Sequence, residues 1–163
     1  MAGKRHKKYG YADRFRFCVS SVFSGLKILP WRKKEAPHLK SGRWGEKVAV
    51  KFLRSKHWKI IGERVRSGKH DELDIVADDG NALVFVEVKT RKNEDFGRPF
   101  SAVNNAKRKR LSRAAVNYLK KKNAKPDYIR FDVIEVIGEP GGDPEIRHIE
   151  NAFSLDPAYS LWW

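Results

Sequence analysis

The residues best suited to chemistry stand in one short block, "DELDIVADDGNALVFVEVKTR", Asp71 to Arg91. Its β-branched and aromatic content suits a strand covered on both faces, yet it carries Glu72, Asp74, Glu87 and Lys89. Asp79-Gly80 within it is a strong short hairpin signal. A hairpin centred there sets Asp74 opposite Phe85 and Glu72 opposite Glu87. Opposed residues share a face, as do residues two apart on one strand, so all four charged groups project from one side. Facing carboxylates repel unless positive charge lies between them. Lys89 supplies one charge; a divalent cation supplies two. Mg²⁺ takes one or two carboxylates, keeps waters and fills its remaining positions with phosphate oxygens. Such an ion polarises the phosphate and lowers the pKa of a bound water, and Lys89 beside that water would position it and stabilise developing charge. The plainer alternative is a hairpin end in solvent with an ordinary Glu-Lys pair, since Glu-x-Lys alone is common. Asp74 held in register, within a basic chain, favours the cation.

Positioning these groups requires a framework, and the pattern supplies one from Ser41 onward. Ser41 suits the N-cap of a helix through "GRWGEKVAVKFLRSK", with Val48, Ala49, Phe52 and Leu53 as its apolar stripe and Glu46 near its first turn. "KIIGERV", "LDIVAD" and "ALVFVEVKT" read as three strands. A basic helix, "SAVNNAKRKRLSRAAVNYLKKK", follows, with Ser101 at its start and Val103, Ala106, Leu111, Ala114, Ala115, Tyr118 and Leu119 on its inner side. "YIRFDVIEVIG" is a long strand and "EIRHIENAF" a weaker, terminal one. The expected fold class is α/β, an αβββαβ order with a central mixed sheet flanked by helices.

The 163 residues allow one domain with an appendage. Thirty-five Lys and Arg against 20 Asp and Glu give a formal charge of +15, a surplus that favours an anionic partner. Nucleic acid leads, and an anionic membrane surface is second. The lone Cys18 excludes an intrachain disulfide and any need for an oxidising compartment, and the expected location is cytoplasmic. Residues 1–40 form a basic arm, with 11 Lys and Arg against Asp13 and Glu35, and residues 41–163 the domain. The arm's apolar run "FCVSSVFSGL" is about half the length a membrane span needs. "KILPW" after it offers no small-x-small cleavage site. A flexible basic tail, with a short amphipathic helix touching lipid or nucleic acid, fits better.

The block from Asp71 to Arg91 resembles the Asp, then Glu-x-Lys signature of the PD-(D/E)XK nuclease superfamily, and the element order resembles its restriction-endonuclease-like core. "GRWGEKVAVKFL", "ELDIVADDGNALVFVEVKTRKNEDFGRP", "AVNNAKRKRLSRAAVNYL" and "IRFDVIEV" resemble successive blocks of the YraN-like family of predicted bacterial endonucleases, related in fold to archaeal Holliday-junction resolvases. This resemblance, from about Gly42 to Val136, implies an endonuclease dependent on Mg²⁺ or Mn²⁺ that cuts branched or single-stranded DNA in repair or recombination. It implies Asp74 and Glu87 as metal ligands with the Val88 carbonyl, Lys89 as the catalytic lysine, Glu46 as a helix-borne acid completing the site, and Glu72 as a ligand or its neighbour. Glu46 reads equally as a helix-start glutamate favoured by the dipole. Asp71 departs from the family's usual glycine and places an extra carboxylate nearby. A symmetric cut of a four-way junction would need a homodimer.

Lys107, Arg108, Lys109, Arg110 and Arg113 read either as a solvated helix face or as phosphate contacts. Four consecutive basic residues encircle a helix, so one must turn to the sheet; Lys107 matches a family position that approaches the site. Arg43, Arg91 and Arg98 are further candidates for the DNA backbone. Trp44, Trp58, Trp162 and Trp163 suit base stacking or core packing, and His70 is an unusual candidate ligand beside Asp71. The alternative function is a non-catalytic nucleic-acid-binding module of the same fold.

Overall fold

A computed structural model of the chain describes residues 36–68, 71–93 and 103–161. The arm up to residue 35, His70, Arg98, Ser101, Trp162 and Trp163 lie outside the described residues. The elements are α1 (Pro37–Ser55), β1 (Lys59–Arg66), β2 (Glu72–Asp78), β3 (Leu83–Arg91), α2 (Asn105–Lys122), β4 (Ile129–Ile137) and β5 (Glu145–Phe153). The strands form one mixed sheet in the order β1-β2-β3-β4-β5, antiparallel throughout except for the central β3–β4 pair. That parallel pair needs a long crossover, which α2 provides.

Alternation along the central strands sends side chains to two cores. Ile75, Ala77, Val84, Val86, Ile134 and Val136 meet Ala49, Val50 and Leu53 of α1. Val76, Phe85, Phe131 and Val133 meet Leu111, Ala114, Ala115, Tyr118 and Leu119 of α2. The mixed α/β sheet flanked by helices is the expected class, and the terminal strand is present.

Three local expectations change. Helix α1 starts at Pro37, ahead of Ser41, because proline's fixed φ suits a first helical position. Helix α2 is capped by Asn104, whose side chain accepts from the Lys107 N–H at 2.9 Å, and Ala106 in its first turn is exposed. The hairpin pairs Val76 with Phe85 and Asp78 with Leu83, so its loop is Asp79–Ala82 and Asp74 no longer faces Phe85. The Asp79 carboxylate accepts from the N–H groups of Asn81 and Ala82, both at 2.8 Å, and Gly80 takes φ +96°. This side-chain-closed turn moves the register by two residues. An even shift keeps every side chain on its face, and its continuation sets Asp74 level with Glu87.

Candidate active site

The ends of β2 and β3 carry the carboxylates, and α1 and α2 close over them from opposite faces. Gly45 makes the approach of α1 possible: a Cβ there would collide with the Thr90 side chain of β3. The next residue, Glu46, is thereby held at the sheet edge.

The inner pair is Asp74 and Glu87. Asp74 Oδ2 accepts from the Val88 N–H at 2.8 Å. Glu87 is 3% exposed. Its Oε1 accepts from Lys89 Nζ at 2.7 Å and Lys107 Nζ at 2.8 Å, and its Oε2 is buried without a partner among the described residues. Asp74 keeps some surface toward a cavity, but burial of its carboxyl, followed by the nearby Glu87, pushes its pKa up to about 7, against the pull of the Val88 N–H and Lys107.

The outer pair is Glu46 and Glu72, joined by Arg64. Arg64 Nη1 lies 3.2 Å from Glu46 Oε2 and Nη2 lies 3.0 Å from Glu72 Oε1; Arg66 approaches Glu72 at 3.8 Å. Asp71 is held from α2. Arg113 holds it in a two-pronged pair at 2.8 Å on each oxygen, and that hydrogen bonding raises the Arg113 pKa above the ordinary arginine value. The departure from glycine is thus answered by an arginine on α2.

Two cavities meet at Lys107 and Arg110. One of about 160 Å³ is lined by Asp71, Glu72, Asp74 and Leu111 besides these two. The other, about 370 Å³, adds Lys89, Asn104 and Ala106 and is basic. An acidic hollow and a basic one, side by side, suit a cation next to a phosphate.

Among the other sequence candidates, Arg43 is exposed on α1, and Arg91 ends β3, its carbonyl accepting from the Gly138 N–H at 2.8 Å. Arg108 is turned away from the carboxylates. It donates to the Val103 carbonyl at 3.0 Å and lies over the Phe153 ring at 5.8 Å. Arg113 is committed to Asp71. Trp44 and Trp58 pack against the core under α1.

Three features escaped the sequence reading. Arg64 carried no signal, being one arginine in a charged strand. Glu135 is 3% exposed, its Oε1 without a partner among the described residues, and the parallel register sets it level with Lys89; a Glu flanked by Val-Ile on each side gave no warning of burial. Asp132, fully buried, accepts from His148 Nε2 at 2.9 Å, Arg130 Nε at 2.9 Å and the Asn151 N–H at 2.9 Å. It anchors β4 to β5 away from the inner pair.

Among the described residues no group of three or more His, Cys, Asp or Glu is gathered as it would be around a bound metal; lysines and arginines occupy the carboxylates instead. The donor set nevertheless fits a divalent cation. A buried carboxylate oxygen without a donor, on Glu87, beside a carboxyl whose ionisation is opposed by burial and by its neighbour, is a site short of positive charge.

A model of the uncharacterised protein family UPF0102 matches residues 45–136. A UPF0102 protein of Geotalea daltonii is 46% identical over 114 residues, which cover 70% of this chain and 89% of that protein. One from Symbiobacterium thermophilum is 45% identical over 112 residues, 69% of this chain and 94% of that protein. Among solved structures, the Holliday junction resolvase Hjc of Archaeoglobus fulgidus aligns with a TM-score of 0.36 and 16% identity, over 65% of this chain and 75% of that one.

Proposed function

The chain belongs to the UPF0102 family, the YraN-like family its sequence resembles, and we propose that it is a metal-dependent nuclease that hydrolyses DNA phosphodiesters. The observation that carries this reading is the buried Glu87 carboxylate, bonded on one oxygen by two lysines and partnerless on the other, next to Asp74. Asp74 and Glu87 would hold Mg²⁺ or Mn²⁺, with the Val88 carbonyl as a further oxygen donor and Glu72 beside the ion rather than on it, and the ion would supply polarisation of the phosphate and a water of lowered pKa.

The chain's own residues do the remaining work. Lys89, tethered to Glu87, is fixed where its ammonium can orient a nucleophilic water and offset charge growing on the phosphate. Lys107 neutralises Glu87 from the opposite helix, so that two like charges do not drive the carboxylates apart. Lys107 and Arg110, shared by both cavities, bind the phosphate backbone, which gives affinity without sequence information. The substrate in this reading is branched or single-stranded DNA, as the family resemblance implies. Arg43 and Arg91 are the further backbone contacts in this reading.

The test is incubation of the full chain with labelled duplex, single-stranded, flap and four-way-junction DNA in Mg²⁺, Mn²⁺ or chelator, beside Asp74→Asn. Cleavage that needs metal and is lost in the variant supports the nuclease. A second reading, a DNA-binding module without catalysis, draws on the same lysines and arginines that already neutralise the carboxylates. Tight, salt-sensitive binding with no cleavage under any metal would establish it instead.

A further inference from the structure

Arg64 is the most unusual residue around the site. It lies within β1, yet its backbone is left-handed, φ +50°, a conformation that costs a non-glycine residue free energy and persists where the surroundings impose it. Here the surroundings are two carboxylates. The register of β1 with β2 continues from Glu63–Ile75 to Val65–Leu73, which sets Arg64 level with Asp74. From there the side chain reaches Glu46 on α1 and Glu72 on β2 with different nitrogens, at 3.2 and 3.0 Å. A guanidinium presents such a fixed fork, and no other side chain could span the two acids in this way. Glu46 above all, with Glu72 and Asp74, raises its pKa against the opposing effect of burial.

The carboxylates therefore divide into two sets with different counter-charges. Asp74 and Glu87 keep a buried oxygen with no donor, the signature of a place left for a cation. Glu46 and Glu72 have their cation already, covalently part of the chain. Nucleases can use two metal ions to clamp attacking and leaving oxygens, and a second ion here would need the oxygens that Arg64 holds. We propose that Arg64 replaces a second metal ion, so that the site takes one divalent cation, at Asp74 and Glu87, and Arg64 keeps Glu46 and Glu72 from binding another. This rests on the metal-dependent reading above and specifies it: one ion, with a fixed organic cation beside it. Because Arg64 is part of the chain, its charge is present before substrate arrives and adds to the attraction for a phosphate.

The experiment counts ions. Mn²⁺ is titrated into the full-length protein and the bound ions are counted from the loss of the free-Mn²⁺ paramagnetic resonance signal, for wild type, Arg64→Gln, Arg64→Lys and Asp74→Asn, with circular dichroism to verify folding. One ion is expected on wild type and on Arg64→Lys, which keeps the charge. Two are expected on Arg64→Gln, the first bound on the order of tenfold more tightly for want of a neighbouring positive charge. Asp74→Asn should lose the wild-type ion. Two ions on wild type, or only one on a folded Arg64→Gln protein at whatever affinity, overturn the inference while leaving the nuclease reading intact. No ion on wild type defeats the metal-dependent reading itself. In that event Arg64→Gln still decides the role of Arg64: an ion gained supports it, and none gained overturns it.

Discussion

Replacing Asp74 with asparagine is expected to stabilise the metal-free protein at pH 8 and to abolish its response to divalent ions. The folded carboxyl has a pKa of about 7, whereas an aspartate in an unfolded chain titrates near ~3.9. A group whose pKa is raised on folding contributes most to stability below its unfolded pKa, and the contribution disappears as pH rises through the folded value. Roughly three pKa units at about 1.4 kcal/mol each place the loss at about 4 kcal/mol by pH 8. Asparagine carries no charge, but its amide must still be satisfied when buried, which reduces the net gain to about 1–3 kcal/mol. The Val88 N–H can donate to the amide oxygen as it does to the carboxylate, and the new NH₂ is the kind of donor that Glu87 Oε2 lacks. For a domain of this size the gain corresponds to a rise in Tm of about 3 to 15 °C. Thermal unfolding followed by circular dichroism in chelator, from pH 4 to 9, measures it. The two proteins should converge toward pH 4, separate progressively between about pH 4 and 7 and keep a constant difference above that, and Mn²⁺ should raise the wild-type Tm alone. Equal melting temperatures at pH 8, or a difference constant from pH 4 to 9, would refute the reasoning, because neither is compatible with a carboxyl kept from ionising by its surroundings.

Lys89→Met should reduce metal-dependent cleavage by about 10²-fold or more while DNA affinity, measured by fluorescence anisotropy, changes little. Arg110→Ala and Arg113→Ala separate a surface contact from an internal one. The first should weaken DNA binding and lower the salt slope by about one. The second should leave that slope unchanged and lower stability in urea unfolding, since it removes the two-pronged partner of the buried Asp71 carboxylate. Burial presses the Asp132 pKa upward, but the hydrogen bonds from His148, Arg130 and the Asn151 N–H prevail and hold it below the ordinary value. A depressed folded pKa contributes stability above the unfolded one and loses it as pH falls. Asp132→Asn should therefore unfold at lower urea concentration than wild type at pH 7, with the gap closing as both are taken to about pH 3.

Much of this arrangement was legible because period and turn chemistry agree. "LVFVEVKTR" could only be a strand, and its polar residues two apart had to share a face. The register was misread by two residues because Asp79 closes the turn with its own side chain, contacts that the Asp-Gly pair alone does not reveal. The error was harmless to the site: facing depends on parity, and parity survived. That one of the four consecutive cations must face inward followed from helix geometry, whereas the choice of Lys107 among them came from its match to a family position. Which of Arg108, Arg110 and Arg113 would remain open to a phosphate could not be read, since that depends on partners distant in sequence, Phe153 for Arg108 and Asp71 for Arg113. The roles of Arg64 and Glu135 were beyond reach for the same reason. A left-handed arginine and a buried glutamate are imposed by neighbours on other elements, and no local pattern announces either.

The dependence of Glu87 on Lys107 also bears on the order in which the chain assembles. The β2–β3 hairpin is local, closed by its Asp79 turn, and can form early with Asp74 and Glu87 still hydrated. Burying them requires α2 to dock, and α2 docks only with the β3–β4 pairing that joins Arg91 to Ile137 across the intervening helix. The element that removes water from Glu87 is thus the one that delivers Lys107 to it. Desolvation and neutralisation arrive in a single late event, so the charged site becomes costly to the protein at the same moment that its counter-charge is in place. A chain with Lys107→Met would meet that cost unrelieved at the docking step, and its refolding should slow more than its unfolding quickens.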